Sequence, residues 1–145
     1  MNFKDTIVAQ STPVGSSATS TIRLSGSESI NIVNRIFPSK DLRDVKSHTI
    51  HFGNIIHDGN VIDEVVLNVF KEPNSYTKED IIEISCHGSQ IIVKKIIMIT
   101  IEFGARAAER GEFTFRSFIN GNLDLSQAEA VSCLLYTSDA ADDLV

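Results

Sequence analysis

Glu83 stands inside the apolar run of IIEISCHGS, and Cys86 and His87 follow it side by side. A carboxylate in an apolar strand is costly to bury without a partner. Two readings fit Glu83. It is a structural ion pair or a solvent-facing group, or it reads a ligand that presents two parallel N–H donors, because a carboxylate accepts in a fork. Arg23, between Ile22 and Leu24 in STIRLSG, poses the same choice. It is a surface cation or the partner of Glu83, or it clamps an anionic or carbonyl group. A thiol next to an imidazole suggests a nucleophile and its base. Strand alternation argues against that pair, since Cys86 falls on the Ile82 and Ile84 side and His87 on the other. Cys86 therefore reads as an inert core thiol, and His87-Gly88 as the end of a strand and a turn. No catalytic residue and no metal ligand is assigned. The only cysteines, Cys86 and Cys133, form no CxxC, and no cysteine–histidine ladder has zinc spacing.

Short elements must position Arg23 and Glu83. DTIVAQ predicts a first strand, STPVGSSATS a loop, and TIRLSG a second strand ending at Ser25-Gly26. Ser25 and Glu28 have capping-box spacing, which predicts a helix over SESINIVNRIF. SHTIHFGNII and VIDEVVLNVF flank Asp58-Gly59, a strong hairpin signal because a tight primed turn needs residues that accept positive φ. KEPNSYTKED is a polar connection, and IIEISC is the next strand. SQIIVKKIIMITIEFG is rich in β-branched residues but too long for one strand. Ile92, Ile96, Ile99 and Phe103 keep helical spacing, so a helix ended by Gly104 is expected. GEFTFRSFING predicts a short helix closed by Asn120-Gly121, and Asp124 with Gln127 opens another. The order implies an α+β fold with a mixed β-sheet, followed by the start of a helical region.

Composition sets outer bounds. The 145 residues are 42% hydrophobic and 22% charged, an ordinary globular mix. The net charge of −6 argues against wrapping nucleic acid unaided, which needs a basic face. Two cysteines fit a reducing cytoplasm better than a disulfide scaffold. The N-terminus lacks a signal-peptide core, and the most apolar stretch is interrupted by Lys94 and Lys95.

Three long segments, DTIVAQSTPVGSSATSTIRLSG, EPNSYTKEDIIEISCHGS and ERGEFTFRSFINGNLDLSQAEAV, resemble the N-terminal region of the MnmE/TrmE family of tRNA-modification GTPases. The likeness runs from about Asp5 to Val131. It implies an N-terminal domain that binds a formyl-tetrahydrofolate type cofactor such as 5-formyltetrahydrofolate and forms the homodimer. The implied fold is similar to the tetrahydrofolate-binding domain of aminomethyltransferases. A helical domain carrying an inserted GTPase domain would follow. With a flavin-dependent partner of the MnmG/GidA type, the whole protein would modify the wobble uridine of certain tRNAs in the cytoplasm. The folate contacts implied by the resemblance fall on Arg23, Glu83 and Asn122. The first two keep the family's residue types. Asn122 stands where lysine or arginine is common, which removes a charge. The first loop, GSSATST, is also more hydroxylated than the glycine-rich, apolar form of the family.

The implied organisation is a folate-binding and dimerisation domain over residues 1–121 and the beginning of a helical domain over 122–131. The segment SCLLYTSDAADDLV resembles the conceptual translation of a transposase sequencing adapter, so 132–145 is expected to be a non-native tail. No G-x-x-x-x-G-K-[ST] loop occurs, so this chain alone is expected neither to bind nor to hydrolyse GTP; GTP, magnesium and potassium would belong to the GTPase domain. Two other readings remain: a dimerisation module without a working folate site, and a folate-dependent aminomethyltransferase-like protein.

Overall fold

Strand pairing organises the chain. The computed structural model describes residues 4–15 and 17–137, with side chains as far as residue 131. Five strands were expected and form: β1 (Ile7–Gln10), β2 (Thr19–Ser25), β3 (Thr49–His57), β4 (Asn60–Phe70) and β5 (Ile81–His87). A sixth, β6 (Arg106–Ala107), is only two residues long and has no alternation to betray it. The sheet order is β3-β4-β5-β2-β1-β6. β6 runs parallel to β1 and the other pairs are antiparallel, so the sheet is mixed as predicted.

The expected hairpin joins β3 to β4. Asp58 has φ 50° and Gly59 φ 77°, the two positive values that a primed two-residue turn requires. Between the strands, register shifts at Ile55/Ile56, a local bulge.

Alternation sorts each strand onto two faces. Val8, Ile22, Leu24, Leu67, Ile82 and Ile84 are buried on one of them. The helices α1 (Ser29–Asn34) and α2 (Gln90–Glu102) cover that face with Ile32, Val33, Val93, Ile96 and Ile99. Each fully buried aliphatic contributes about 1.5–3 kcal/mol. α2 keeps the predicted helical period and stops before Gly104, at φ 118°. On the opposite face, Ile7 and Ala9 pack against Phe113 of α3 (Glu112–Ile119). The rest of that face, with Arg23 and Glu83, is only partly covered.

The predicted capping box at Ser25 and Glu28 does not form. Glu28 is itself the residue before the helix, and no side chain caps it. Ser25 still belongs to β2, and its hydroxyl is taken by Thr77 Oγ1 at 2.6 Å and Glu79 Oε1 at 2.8 Å. The Glu28 N–H donates instead to Thr6 Oγ1 at 2.9 Å. α1 is accordingly shorter than the sequence implies, and Ile36 and Phe37 enter the core beyond its end. The second predicted box does form. Gln127 N–H donates to Asp124 Oδ1 at 2.7 Å, Asp124 N–H donates to Gln127 Oε1 at 2.9 Å, and α4 (Leu125–Thr137) begins there. The non-native tail expected over 132–145 falls on α4 backbone as far as Thr137 and otherwise lies outside the described residues. Among the described residues, no helix is long and apolar enough to cross a membrane.

Candidate functional site

Arg23 of β2 and Glu83 of β5 are directly opposite each other in the antiparallel ladder. Their side chains lie on the half-covered face and meet there. Arg23 donates from Nε at 3.3 Å and from Nη2 at 3.1 Å, both to Glu83 Oε2. The partner reading of each residue is thus realised. Phe113 and Tyr76 flank the guanidinium, with ring centroids 5.3 and 5.9 Å from its carbon, close enough for cation–π attraction. Glu83 Oε1 and Arg23 Nη1 have no hydrogen bond among the described residues. The pair therefore leaves one carboxylate oxygen and the Nη1 amino group open, rather than a whole carboxylate fork.

Both residues line a cavity of about 430 Å³. Its floor is the sheet, with Arg23, Phe70, Ile81 and Glu83. The connection from β4 to β5 supplies one wall through Asn74, Ser75 and Tyr76, and His48 stands at the rim before β3. A cavity of this size, mostly apolar with a few convergent polar groups, suits a flat small molecule.

α3 and the turn after it hold the Tyr76 wall. Ser117 Oγ donates to the Tyr76 carbonyl, and Asn120 Nδ2 to the Thr77 carbonyl at 2.7 Å. The Tyr76 hydroxyl is 3.1 Å from Thr114 Oγ1. Deeper in, Arg116 donates to Glu79 at 3.2 Å and to Asp5 at 2.7 Å.

The family profile described as GTP-binding protein TrmE N-terminus matches residues 6–122. The chain belongs to this family. It is 50% identical over 144 residues to the tRNA modification GTPase MnmE of Cytophaga hutchinsonii, which covers 99% of this chain and 31% of that protein. The protein of the same name from Flavobacterium johnsoniae is 52% identical over 141 residues, covering 95% of this chain and 30% of the relative. That of Geobacillus thermodenitrificans is 48% identical over 136 residues, covering 90% and 29%. The chain thus spans about a third of the length of the curated relatives it matches.

Of the three residues implied as ligand contacts by the resemblance to this family, the structure brings Arg23 and Glu83 together in the cavity. Asn122 is not among the cavity-lining residues. Its Nδ2 donates to the Tyr76 carbonyl at 2.8 Å and lies 3.1 Å from Ser117 Oγ, so it braces the wall from outside. The sequence reading missed His48, Phe70, Asn74, Ser75 and Tyr76. EPNSYTKED signalled a turn, but nothing local says that its far side closes over β5.

Cys86 and His87 diverge as strand alternation requires. Cys86 is 2% exposed, with Sγ 3.5 Å from the Ser20 carbonyl. His87 is exposed and meets Asp63 Oδ1 through Nδ1 at 2.7 Å. Gly88 ends the strand for a reason beyond a turn: a Cβ there would lie 1.8 Å from the Ser17 carbonyl oxygen. Burial, helped by nearby Asp63, pushes the Cys86 thiol up to about 11 from 9.0. On a Cys133→Ser background, a thiol reagent at pH 8 should therefore label the native chain on the order of 100-fold more slowly than the urea-unfolded chain, from thiolate fraction alone. Equal rates would remove Cys86 from the core.

Proposed function

We propose that this chain is the folate-binding and dimerising part of a tRNA-modification GTPase, and that a reduced folate of the 5-formyltetrahydrofolate type occupies the cavity over Arg23 and Glu83. The observation that carries the reading is the half-committed pair. Glu83 Oε1 accepts and Arg23 Nη1 donates, which suits a heterocycle edge where a ring N–H or amine adjoins a carbonyl. A pterin has that edge. Phe70, Tyr76 and Ile81 supply apolar surface for its flat rings. The folate would contribute the one-carbon unit. The protein's part is to bind it, orient it and exclude water, with Arg23 fixed against Glu83 and between two aromatic rings. On this reading the α+β fold is similar to the tetrahydrofolate-binding domain of aminomethyltransferases.

The remaining parts of the reading follow from family membership. They are a homodimer, a flavoprotein partner of the MnmG/GidA type, tRNA in the full complex and a cytoplasmic setting. Ile50 and Phe52, 72% and 66% exposed at the outer end of the half-covered sheet face, support a partner surface there. A second reading, a dimerisation module without a working folate site, draws on Asn122, whose amide is spent on the Tyr76 carbonyl.

Calorimetry with 5-formyltetrahydrofolate separates them. Glu83→Gln keeps size but exchanges an acceptor for a donor, removing a charge-assisted contact. Affinity should fall by about 1.5–3 kcal/mol, about 10- to 150-fold. Unchanged affinity in the variant would remove Glu83 from the site, and absence of binding by the wild type would select the dimerisation module.

A further inference from the structure

We propose that His48 is a ligand-touching residue of this cavity, donating from Nε2–H to an acceptor oxygen of the bound molecule; the inference rests on the folate reading above. His48 has φ 63°, a left-handed conformation uncommon outside glycine. Strain of this kind concentrates at ligand clamps and similar functional positions. Three contacts hold the residue there. Its backbone N–H donates to the Val69 carbonyl at 2.7 Å. Its ring stands edge-on to Phe70, with centroids 5.2 Å apart and planes at 88°. Its Nδ1 lies 2.8 Å from Ser47 Oγ.

The third contact bears on the tautomer. Ser47 Oγ already accepts the Lys71 N–H at 2.8 Å. Among the described residues, its own hydroxyl proton has no other acceptor than His48 Nδ1. When Ser47 gives that proton to Nδ1, the ring's own proton sits on Nε2, and this is the tautomer the proposal takes. Nε2 has no hydrogen-bond partner among the described residues, while the ring is exposed and lines the cavity with Arg23 and Glu83. An imidazole held at positive φ, packed edge-on to Phe70 and bonded at Nδ1, yet with Nε2 unspent on the cavity side, is built for a ligand rather than for the core.

The cavity then offers two separate recognition points. The Arg23–Glu83 pair on the sheet reads a donor-and-acceptor edge, and His48 at the rim reads an oxygen. A folate supplies both: the pterin edge at one end, and carbonyl and carboxylate oxygens toward the other.

Two variants of the full chain test this by calorimetry with 5-formyltetrahydrofolate. His48→Phe keeps a ring against Phe70 and loses the N–H. His48→Asn tolerates positive φ and loses the ring. Both should weaken binding about tenfold, with urea unfolding midpoints near that of the wild type. In the free wild type, nitrogen-15 NMR of the imidazole should show the Nε2–H tautomer, and its signals should shift on adding the folate. Wild-type affinity in His48→Phe makes the N–H irrelevant and overturns the proposal, while leaving the Glu83 reading standing. An Nδ1–H tautomer overturns it as well. No binding by the wild type overturns the folate reading and this inference with it.

Discussion

Arg116→Met is expected to destabilise the domain by about 3–5 kcal/mol, the usual cost of stripping one partner from a buried ion pair. Arg116 is 1% exposed, and methionine roughly replaces its volume, so the loss is one of charge and hydrogen bonds rather than of space. Its Nη1 donates to the Asp5 carbonyl at 2.6 Å and to Glu79 at 3.2 Å; its Nη2 reaches Asp5 Oδ1 at 2.7 Å and Glu112 Oε2 at 3.4 Å. The Glu112 side chain is fully buried. Without Arg116, Arg106 remains the guanidinium bonded to Asp5 and Glu112, and Ser25 remains a neutral donor to Glu79. Urea unfolding at pH 7 measures the loss, and a change under about 1 kcal/mol would mean that the network is not a stabilising unit.

The same experiment has a pH signature. The hydrogen bond from Arg106 holds the Asp5 carboxyl below its ordinary 3.8, with Arg116 adding to the effect against a cost of burial. For Glu112, burial pushes upward, but Arg106 and the Glu109 N–H outweigh it and leave the carboxyl below 4.5. Groups depressed in the folded state stabilise it fully above their unfolded values and lose that contribution as pH falls below them. The gap between wild type and Arg116→Met should therefore be widest near neutrality and narrow below about pH 4.

This network also explains how far the site could be read from sequence. Arg23 and Glu83 were legible because alternation alone assigns a strand residue to a face, and two charged residues in apolar strands ask for each other. The Asp58-Gly59 turn was legible because its chemistry is local. Two capping boxes had equal standing in the sequence, yet only Asp124 and Gln127 formed one. Ser25 lost its cap to Thr77 and Glu79, more than fifty positions along the chain, and no local pattern announces that competition. The cavity walls are equally non-local. Tyr76 is placed by Ser117, Asn120 and Asn122 acting through backbone carbonyls, so side-chain type at those positions says little until the fold is known. Asn122 is the clearest case: the resemblance implies a ligand contact there, and in the fold its short amide reaches the Tyr76 carbonyl and Ser117 Oγ. Family membership and the fold class were readable, whereas the division of labour around the cavity was not.

Gly26→Ala is expected to cost about 3 kcal/mol or more, from about 1–3 kcal/mol of backbone strain and a similar amount of overpacking. The sequence marks Gly26 as the end of β2, which any turn residue could serve. The structure gives two further reasons. Gly26 has φ 143°, which side chains rarely adopt, and a Cβ there would lie 2.6 Å from Thr6 Cα and from Thr6 Oγ1. Thr6 cannot yield freely. Its hydroxyl accepts the Glu28 N–H at the start of α1, and its carbonyl accepts the Arg106 N–H that docks β6. Gly26 is fixed from the other side, since its own N–H donates to the Asp80 carbonyl at 3.0 Å. A displaced Thr6 also moves Asp5 within the Arg116 network. Gly121→Ala is the control: φ is 81° there and nothing lies within 4 Å, so backbone strain of about 1–2 kcal/mol acts alone. Urea midpoints of the two variants should differ accordingly, with Gly26→Ala the less stable. Equal midpoints would mean that backbone conformation, and not the approach of Thr6, is what requires glycine at the β2–α1 junction.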